Sequence, residues 1–114
     1  MNIIKENSDF QRVMKSGKWY TSECLTVYIL ENNLKSNRIG VAVGKKAGKS
    51  VVRNRIKRLI RESYRLNEDA MKQSVDIIIV WRSSVASSKI SFENVQTSLL
   101  KCLNKAELMN NKEV

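Results

Sequence analysis

Hydrophobic residues follow two different periods along this chain, and each period predicts one kind of element. Apolar and polar side chains alternate over 25–29, and bulky residues alternate with small ones over 39–43, which is the two-residue period of strands. The β-branched, apolar run over 75–81 predicts a central strand that is covered on both faces. Trp19 and Tyr20 are candidates for an additional strand segment before the 25–29 strand.

A helical period predicts three helices, over 9–16, over 51–68 and in the region after Ser91. Ser8 and Gln11 fit a capping box at the start of the first helix, and a glycine at position 17 is a plausible end. The third helix has its apolar stripe at Phe92, Val95, Leu99, Cys102, Leu103 and Ala106.

The order of these elements is helix, two or three strands, helix, strand, helix. It predicts one α+β domain over 1–114, with helices packed on a mainly antiparallel sheet and a frayed tail over 110–114. Gly40, Ala42 and Gly44 leave one face of the 39–43 strand nearly bare. We expect another backbone or a ligand to approach this strand closely.

Positive charge is concentrated in one segment. The chain has 21 Lys and Arg against 11 Asp and Glu, a formal charge of +10. Nine of those basic residues lie within 45–65, and only one acid, Glu62, lies among them. On a helical wheel one side of this segment is apolar, and the other is a cationic face on which only Glu62, through Arg58, offsets the charge. Like charges one helical turn apart repel each other, so this face favours an anionic partner. Arginine side chains in particular bind phosphate with two parallel hydrogen bonds.

Several chemistries are excluded by composition. The chain has no His, which removes Ser-His-Asp triads and histidine-based zinc sites, and its acids form no Asp-x-Asp cluster. Cys24 and Cys102 are isolated, so we expect buried, reduced thiols and no metal cage. The longest apolar run, 77–81, is far too short to span a membrane, and the N-terminus lacks a signal-peptide core. These features predict a cytoplasmic protein without a membrane or small-molecule partner.

The segment 44–50 resembles a phosphate-binding P-loop, because it follows a strand, contains two glycines and opens a helix. The P-loop motif requires four residues between its glycines, and this chain has three. A loop and an N-cap at Ser50 are the simpler interpretation, and a nucleotide hydrolase remains an alternative.

The run 45–62 closely resembles the signature of the bacterial ribonuclease P protein subunit. The family's Arg-Asn-Arg block stands at 53–55, followed by its Lys-Arg pair at 57–58 and a further arginine at 61. Segments 9–13 and 76–79 are similar to the family's first helix and last strand, so that the resemblance spans roughly 8–103.

The resemblance implies a two-layer α/β sandwich of the ribosomal-protein-S5-domain-2-like type. It has a four-stranded mixed sheet and a left-handed βαβ crossover, against the usual right-handed rule. It also implies a role as the protein subunit of an endoribonuclease whose catalyst is an RNA with bound Mg²⁺. The protein's partners are then that catalytic RNA and precursor tRNA, whose 5′ leader is removed. No side chain of the protein is expected to be catalytic or to bind metal.

The resemblance further implies two sets of binding residues. The residues expected to meet RNA phosphates are Lys45, Lys46, Lys49, Arg53, Asn54, Arg55, Lys57, Arg58, Arg61 and Arg65. The residues expected in or beside a cleft for the single-stranded leader are Phe10, Arg12, Met14, Lys15 and Tyr28. The family often has an aromatic residue at the position of Met14, and a thioether is a poorer platform for a base.

Alternatives remain for both sets. Phe10, Met14 and Tyr28 also fit a packing role, which is the better interpretation for Val13, and Trp19 and Trp81 are interpreted as core or edge packing. The cationic face of the second helix alone does not exclude a second hypothesis, a ribosomal or other structured-RNA binder that has no processing role.

Overall fold

The computed structural model of the protein describes residues 1–110, which form five strands and three α-helices. The strands are β1 (Asn2–Ile3), β2 (Lys18–Thr21), β3 (Leu25–Glu31), β4 (Arg38–Ala42) and β5 (Val75–Trp81). The helices are α1 (Asn7–Ser16), α2 (Ser50–Asn67) and α3 (Phe92–Lys105).

All five strands belong to one mixed sheet with the order β1-β4-β5-β3-β2. The central strand β5 runs parallel to β4 and antiparallel to β3, which confirms the predicted central strand and mixed sheet. The expectation of a mainly antiparallel sheet is wrong, because two of the four strand pairings are parallel. The predicted strand count of four is wrong, because Asn2 and Ile3 add a fifth strand that pairs in parallel with β4. Two residues are too few to show a period in the sequence. Helix α2 connects the parallel neighbours β4 and β5, and the left hand of this crossover stays a prediction.

The helices cover the two faces of the sheet unequally. Helices α2 and α3 bury the larger core against one face, with Ile56, Leu99 and Ile77 fully buried. Helix α1 lies on the opposite face, where Val13 and Ile78 form a second, smaller core. The α+β sandwich is therefore confirmed, and the sparser α1 side leaves part of the sheet uncovered.

Helix starts differ from those predicted. Helix α1 begins at Asn7 without a side-chain cap, so the capping box at Ser8 is wrong. The backbone carbonyl of Glu6 instead accepts hydrogen bonds from the amides of Asp9 and Phe10. Ser50 lies inside α2 and does not cap it. Ser91 does cap α3, because its hydroxyl accepts from the amide of Asn94 at 3.1 Å.

Both cysteines are free and buried, as predicted. Burial raises the pKa of the Cys102 thiol and favours its protonated form. Trp81 is part of the core, whereas Trp19 lies on the edge strand β2 and keeps 66% of its surface exposed. The amide of Asn110 donates to the carbonyl of Ala70 at 2.7 Å, and fraying of the tail over 110–114 stays a prediction. The rest of that tail, 111–114, lies outside the described residues.

The turn between α1 and β2 requires a glycine because two backbone segments meet there. A Cβ atom on Gly17 would lie 2.6 Å from the carbonyl oxygen of Val13 and 2.8 Å from that of Ile29. We expect Gly17→Ala to lower the free energy of unfolding by about 1–3 kcal/mol, as overpacking does elsewhere. Urea unfolding measures this change, with Gly44→Ala as the control, since a Cβ on Gly44 meets open space. Equal stability of the two variants would contradict the steric argument.

Candidate nucleic-acid interface

Helix α2 has one face in the core and one face in solvent. Ile56, Ile60 and Tyr64 are fully buried at a helical spacing, while Val52 and Leu59 are half-buried beside them. This packing fixes the rotation of the helix about its own axis. The opposite side of α2 consequently faces solvent.

That outward side and the loop before α2 together carry the predicted phosphate-binding residues. Arg53 and Lys57 are half-buried, and the others are exposed. We call the whole set the basic face: Lys45, Lys46, Lys49, Arg53, Asn54, Arg55, Lys57, Arg58, Arg61 and Arg65. Within it, Asn54, Lys57, Arg58, Arg61 and Arg65 line one shallow groove together with Glu62 and Met1.

Within residues 1–110, almost none of this charge is neutralised by a carboxylate of the protein. Glu62 pairs with Arg65 at 2.5 Å, so the predicted partnership of Glu62 with Arg58 is wrong. No other basic residue between 45 and 65 forms an ion pair with a carboxylate of residues 1–110. The basic face is therefore a row of like charges that a polyanion would relieve.

The loop before α2 is shaped by one glycine. Residues Lys45–Ala47 form a single 3₁₀ turn, and Gly48 follows at φ 143°, a conformation that other residues rarely adopt. The Gly48 carbonyl accepts a hydrogen bond from Nε of Arg53 at 3.1 Å. Arg53 thus ties the loop that carries the three lysines to the helix that carries the arginines.

A second candidate region lies between α1 and the sheet. Phe10 packs on the bare side of β4, where a Cβ on Gly40 would lie 3.0 Å from the Phe10 ring. The close approach predicted for this strand is therefore made by a side chain of α1. Val13 is fully buried, as predicted, while Phe10, Met14 and Tyr28 are half-buried around the same small core. We call the half-buried surface formed by Phe10, Met14 and Tyr28 the α1 cleft, after the leader cleft that the family resemblance implies.

The two basic residues of this region differ in their pairing. Arg12 forms an ion pair with Asp9 at 3.1 Å and lies 3.9 Å from Asp76, which offsets part of its charge. Lys15 is exposed and forms no ion pair within residues 1–110. Of the two, Lys15 is the more available for a phosphate.

A buried ion pair supports the α1 side of the sheet. The guanidinium of Arg38 donates to both carboxylate oxygens of Asp76, at 2.8 and 2.6 Å, and Asn32 donates to the same carboxylate at 2.9 Å. Arg38 also contacts Asp9 of α1 at 3.3 Å. Burial alone raises the pKa of Asp76, but these hydrogen bonds and the charges of Arg38 and Arg12 outweigh it and lower that pKa.

Two features of this face are not predicted by the sequence patterns. The run 75–81 predicts a strand that is apolar on both sides, yet Asp76 is fully buried there. The parallel register places Asp76 directly opposite Arg38, and this opposite-charge pairing at the start of two strands was an available signal. Trp19, likewise, is opposite Tyr28 in the β2–β3 register, with ring centroids 6.4 Å apart.

The carboxylates and thiols of residues 1–110 form no group of three that could hold a metal ion. The one fully buried carboxylate in this described part, Asp76, already accepts hydrogen bonds from Arg38 and Asn32. No helix in the described part of the chain is long and apolar enough to cross a membrane.

Comparison with known proteins identifies the family. Residues 1–107 match the family model described as Ribonuclease P. The ribonuclease P protein component of Alkaliphilus oremlandii is 43% identical over 110 residues, covering 96% of this chain and 95% of the relative. That of Clostridium botulinum strain Loch Maree is 44% identical and covers 96% and 97%, respectively.

A solved structure agrees with these matches. The ribonuclease P protein of Staphylococcus aureus superimposes with a TM-score of 0.85 at 33% identity, covering 96% of this chain and 99% of that one. The shared fold and near-full coverage extend well beyond the basic segment. The chain therefore belongs to the family of ribonuclease P protein components, the protein subunits of the ribonucleoprotein that processes the 5′ end of tRNA.

Proposed function

We propose that the basic face binds the RNA subunit of ribonuclease P and that the α1 cleft binds the 5′ leader of precursor tRNA. The observation that carries the first part is the row of exposed cations on α2, of which only Arg65 has a carboxylate partner within residues 1–110. A folded RNA offers closely spaced phosphates on a rigid surface, which matches a rigid row of cations.

Counterion release supplies most of the affinity in this proposal. Each phosphate that a Lys or Arg neutralises frees condensed cations from the RNA, so binding weakens steeply as salt rises. Arginine forks add bidentate geometry, and the amide of Asn54 donates and accepts toward sugar and base edges.

The α1 cleft suits a single strand that is bound without regard to sequence. Such sites combine aromatic or apolar platforms for the bases with nearby cations for the backbone. Tyr28 and Phe10 supply rings, Met14 a polarizable thioether, and Lys15 an exposed ammonium group. Because Phe10 also fills the space above Gly40, it has a packing role in addition to any contact with RNA.

The protein's contribution to cleavage in this proposal is binding and positioning. A protein nuclease needs converging carboxylates or histidines, and residues 1–110 do not supply them. The donor set does not fit a Mg²⁺ site either, so we assign Mg²⁺ and the hydrolysis of the phosphodiester to the RNA subunit. The chain then holds the substrate against that RNA in a productive position.

Reconstitution tests the proposed function. The chain is added to a bacterial ribonuclease P RNA at a low Mg²⁺ concentration, at which the RNA alone is slow, with a precursor tRNA as substrate. We expect cleavage at the mature 5′ end and tighter binding of precursor than of mature tRNA. A structured-RNA binder without a processing role would give neither effect.

Replacing Phe10 separates leader binding from packing. Phe10→Leu keeps apolar volume above Gly40 but removes the ring, so we expect the preference for precursor over mature tRNA to fall about tenfold, a typical effect for one lost base-stacking contact. Affinity for the RNA subunit should stay unchanged, because the basic face is untouched. Binding titrations with both tRNAs measure the two effects. An equal fall in both affinities, or loss of folding, would assign Phe10 to packing alone.

A further inference from the structure

Trp19 is the more exposed of the two tryptophans and lies on an edge strand of the sheet. It keeps 66% of its surface open, while Trp81 keeps only 3%. Single exposed apolar residues are common on protein surfaces, so exposure alone means little. The exposure of Trp19 points to a binding role because of its position beside the α1 cleft.

The sheet register places Trp19 in line with the floor of that cleft. Trp19 is opposite Tyr28 on β3, Tyr28 is opposite Ile78 on β5, and Ile78 is opposite Gly40 on β4. Residues that face one another across neighbouring strands point to the same side of a sheet. Phe10 covers Gly40 at one end of this row and α1 buries Ile78, so Trp19 forms the open end.

The ring of Trp19 extends the aromatic surface of Tyr28. Their centroids are 6.4 Å apart with planes tilted by 38°, within the range of interacting aromatic pairs. Tyr28 therefore supports one side of the indole, while most of its surface stays free. The two rings form one continuous surface that runs from the cleft toward the edge of the sheet.

The charge around this surface favours a nucleic-acid strand as its occupant. Lys15 and Lys18 flank the turn that leads from α1 into β2, and both are exposed. Neither forms an ion pair within residues 1–110. Open aromatic surface with unpaired cations beside it is the combination that binds single-stranded nucleic acid, and it does not require a sequence preference.

We propose that Trp19 stacks on a base of the 5′ leader and extends the leader-binding site beyond Tyr28 by one nucleotide. This inference rests on the proposed function of the α1 cleft. Trp19 would then supply an aromatic platform for a base, which the thioether of Met14 does not. The contribution of Trp19 should appear only with leaders long enough to reach the edge of the sheet.

Leader length provides the test. Precursor tRNAs whose leaders are shortened one nucleotide at a time are titrated against the reconstituted ribonucleoprotein with wild-type chain, Trp19→Leu or Tyr28→Leu. With long leaders we expect Trp19→Leu to bind about tenfold more weakly than wild type. This difference should vanish at a leader length at which Tyr28→Leu still shows a loss. Leu34→Ala removes another exposed apolar side chain, 45% exposed, from a loop outside the cleft and should match wild type throughout.

Fluorescence gives a second measurement on the same complexes. Stacking on a base should quench the emission of Trp19 when long-leader precursor binds, whereas mature tRNA should leave the emission unchanged. Trp81 is buried and serves as a constant background that persists in Trp19→Leu, which should show no quenching.

The outcomes separate the inference from the function on which it rests. If Trp19→Leu matches wild type at every leader length while Tyr28→Leu binds more weakly, Trp19 is not part of the site and the leader cleft stands. A loss in Trp19→Leu that is the same at all lengths, mature tRNA included, also overturns the inference. If wild type shows no dependence on leader length, the cleft itself is wrong.

Discussion

Replacing Lys57, Arg58 and Arg61 by glutamine is expected to weaken binding to the ribonuclease P RNA by about 10²–10³-fold at ~0.1 M salt. The three cations line one groove of the basic face, and none pairs with a carboxylate of residues 1–110. Counterion release supplies about tenfold per phosphate contact at this salt concentration. Glutamine keeps the helix propensity of the replaced residues, so the fold should be unaffected.

The salt dependence of binding distinguishes this effect from a general loss of charge. The slope of log K against log salt should become shallower by about three, one for each lost contact. The control variant replaces Lys72, Lys89 and Lys101, three exposed lysines outside the basic face, and removes the same charge. If the control weakens binding as much as the test variant, the net charge of the chain and not the basic face determines affinity.

Arg38→Met is expected to lower the free energy of unfolding by about 3 kcal/mol at pH 7, which is a large part of the stability of a small domain. The substitution leaves the carboxylate of Asp76, whose side chain is 1% exposed, with only Asn32 and the distant Arg12 as partners. An uncompensated buried charge is much costlier than a lost surface ion pair. Arg12→Met is the matched control, and its cost should stay below about 1 kcal/mol because Arg12 is half exposed.

Acid should reduce the difference between wild type and Arg38→Met. In wild type the pKa of Asp76 is lowered by folding, so its contribution to stability is complete above its ordinary value near pH 4 and is lost as the pH falls through the folded-state pKa. Without Arg38, burial dominates and raises that pKa, so the carboxyl protonates earlier and the penalty is relieved. Urea unfolding at pH 7 and pH 4 measures both differences. A gap that is the same at both pH values would assign the loss to packing.

The strongest sequence signals described the parts of the fold that depend on local periodicity. The two faces of α2 followed from residue spacing, because only one rotation of a long amphipathic helix about its axis buries its apolar side in the core. The central position of β5 followed from its apolar run. The placement of the lysines and arginines on the outward face then needed no further information.

Features that depend on tertiary pairing were not visible in the sequence. The two-residue strand β1 is set by its pairing with β4, and the start of α1 at Asn7 depends on the backbone carbonyl of Glu6, which no side-chain pattern reveals. The exposure of Trp19 depends on how far α1 extends across the sheet, and the burial of Asp76 depends on the register of two distant strands. The chain also has no proline, one of the two residues that most often signal the end of a helix or strand in a sequence.

Lysine reactivity in the reconstituted ribonucleoprotein tests the central claim most directly. Amine-modifying reagent followed by mass spectrometry reports which lysines the RNA covers. We predict protection of Lys45, Lys46, Lys49 and Lys57, whereas Lys72, Lys89 and Lys101 should react as in the free protein. Protection of the second group with continued reactivity of the first would show that the RNA binds elsewhere and would contradict the basic face as the binding surface.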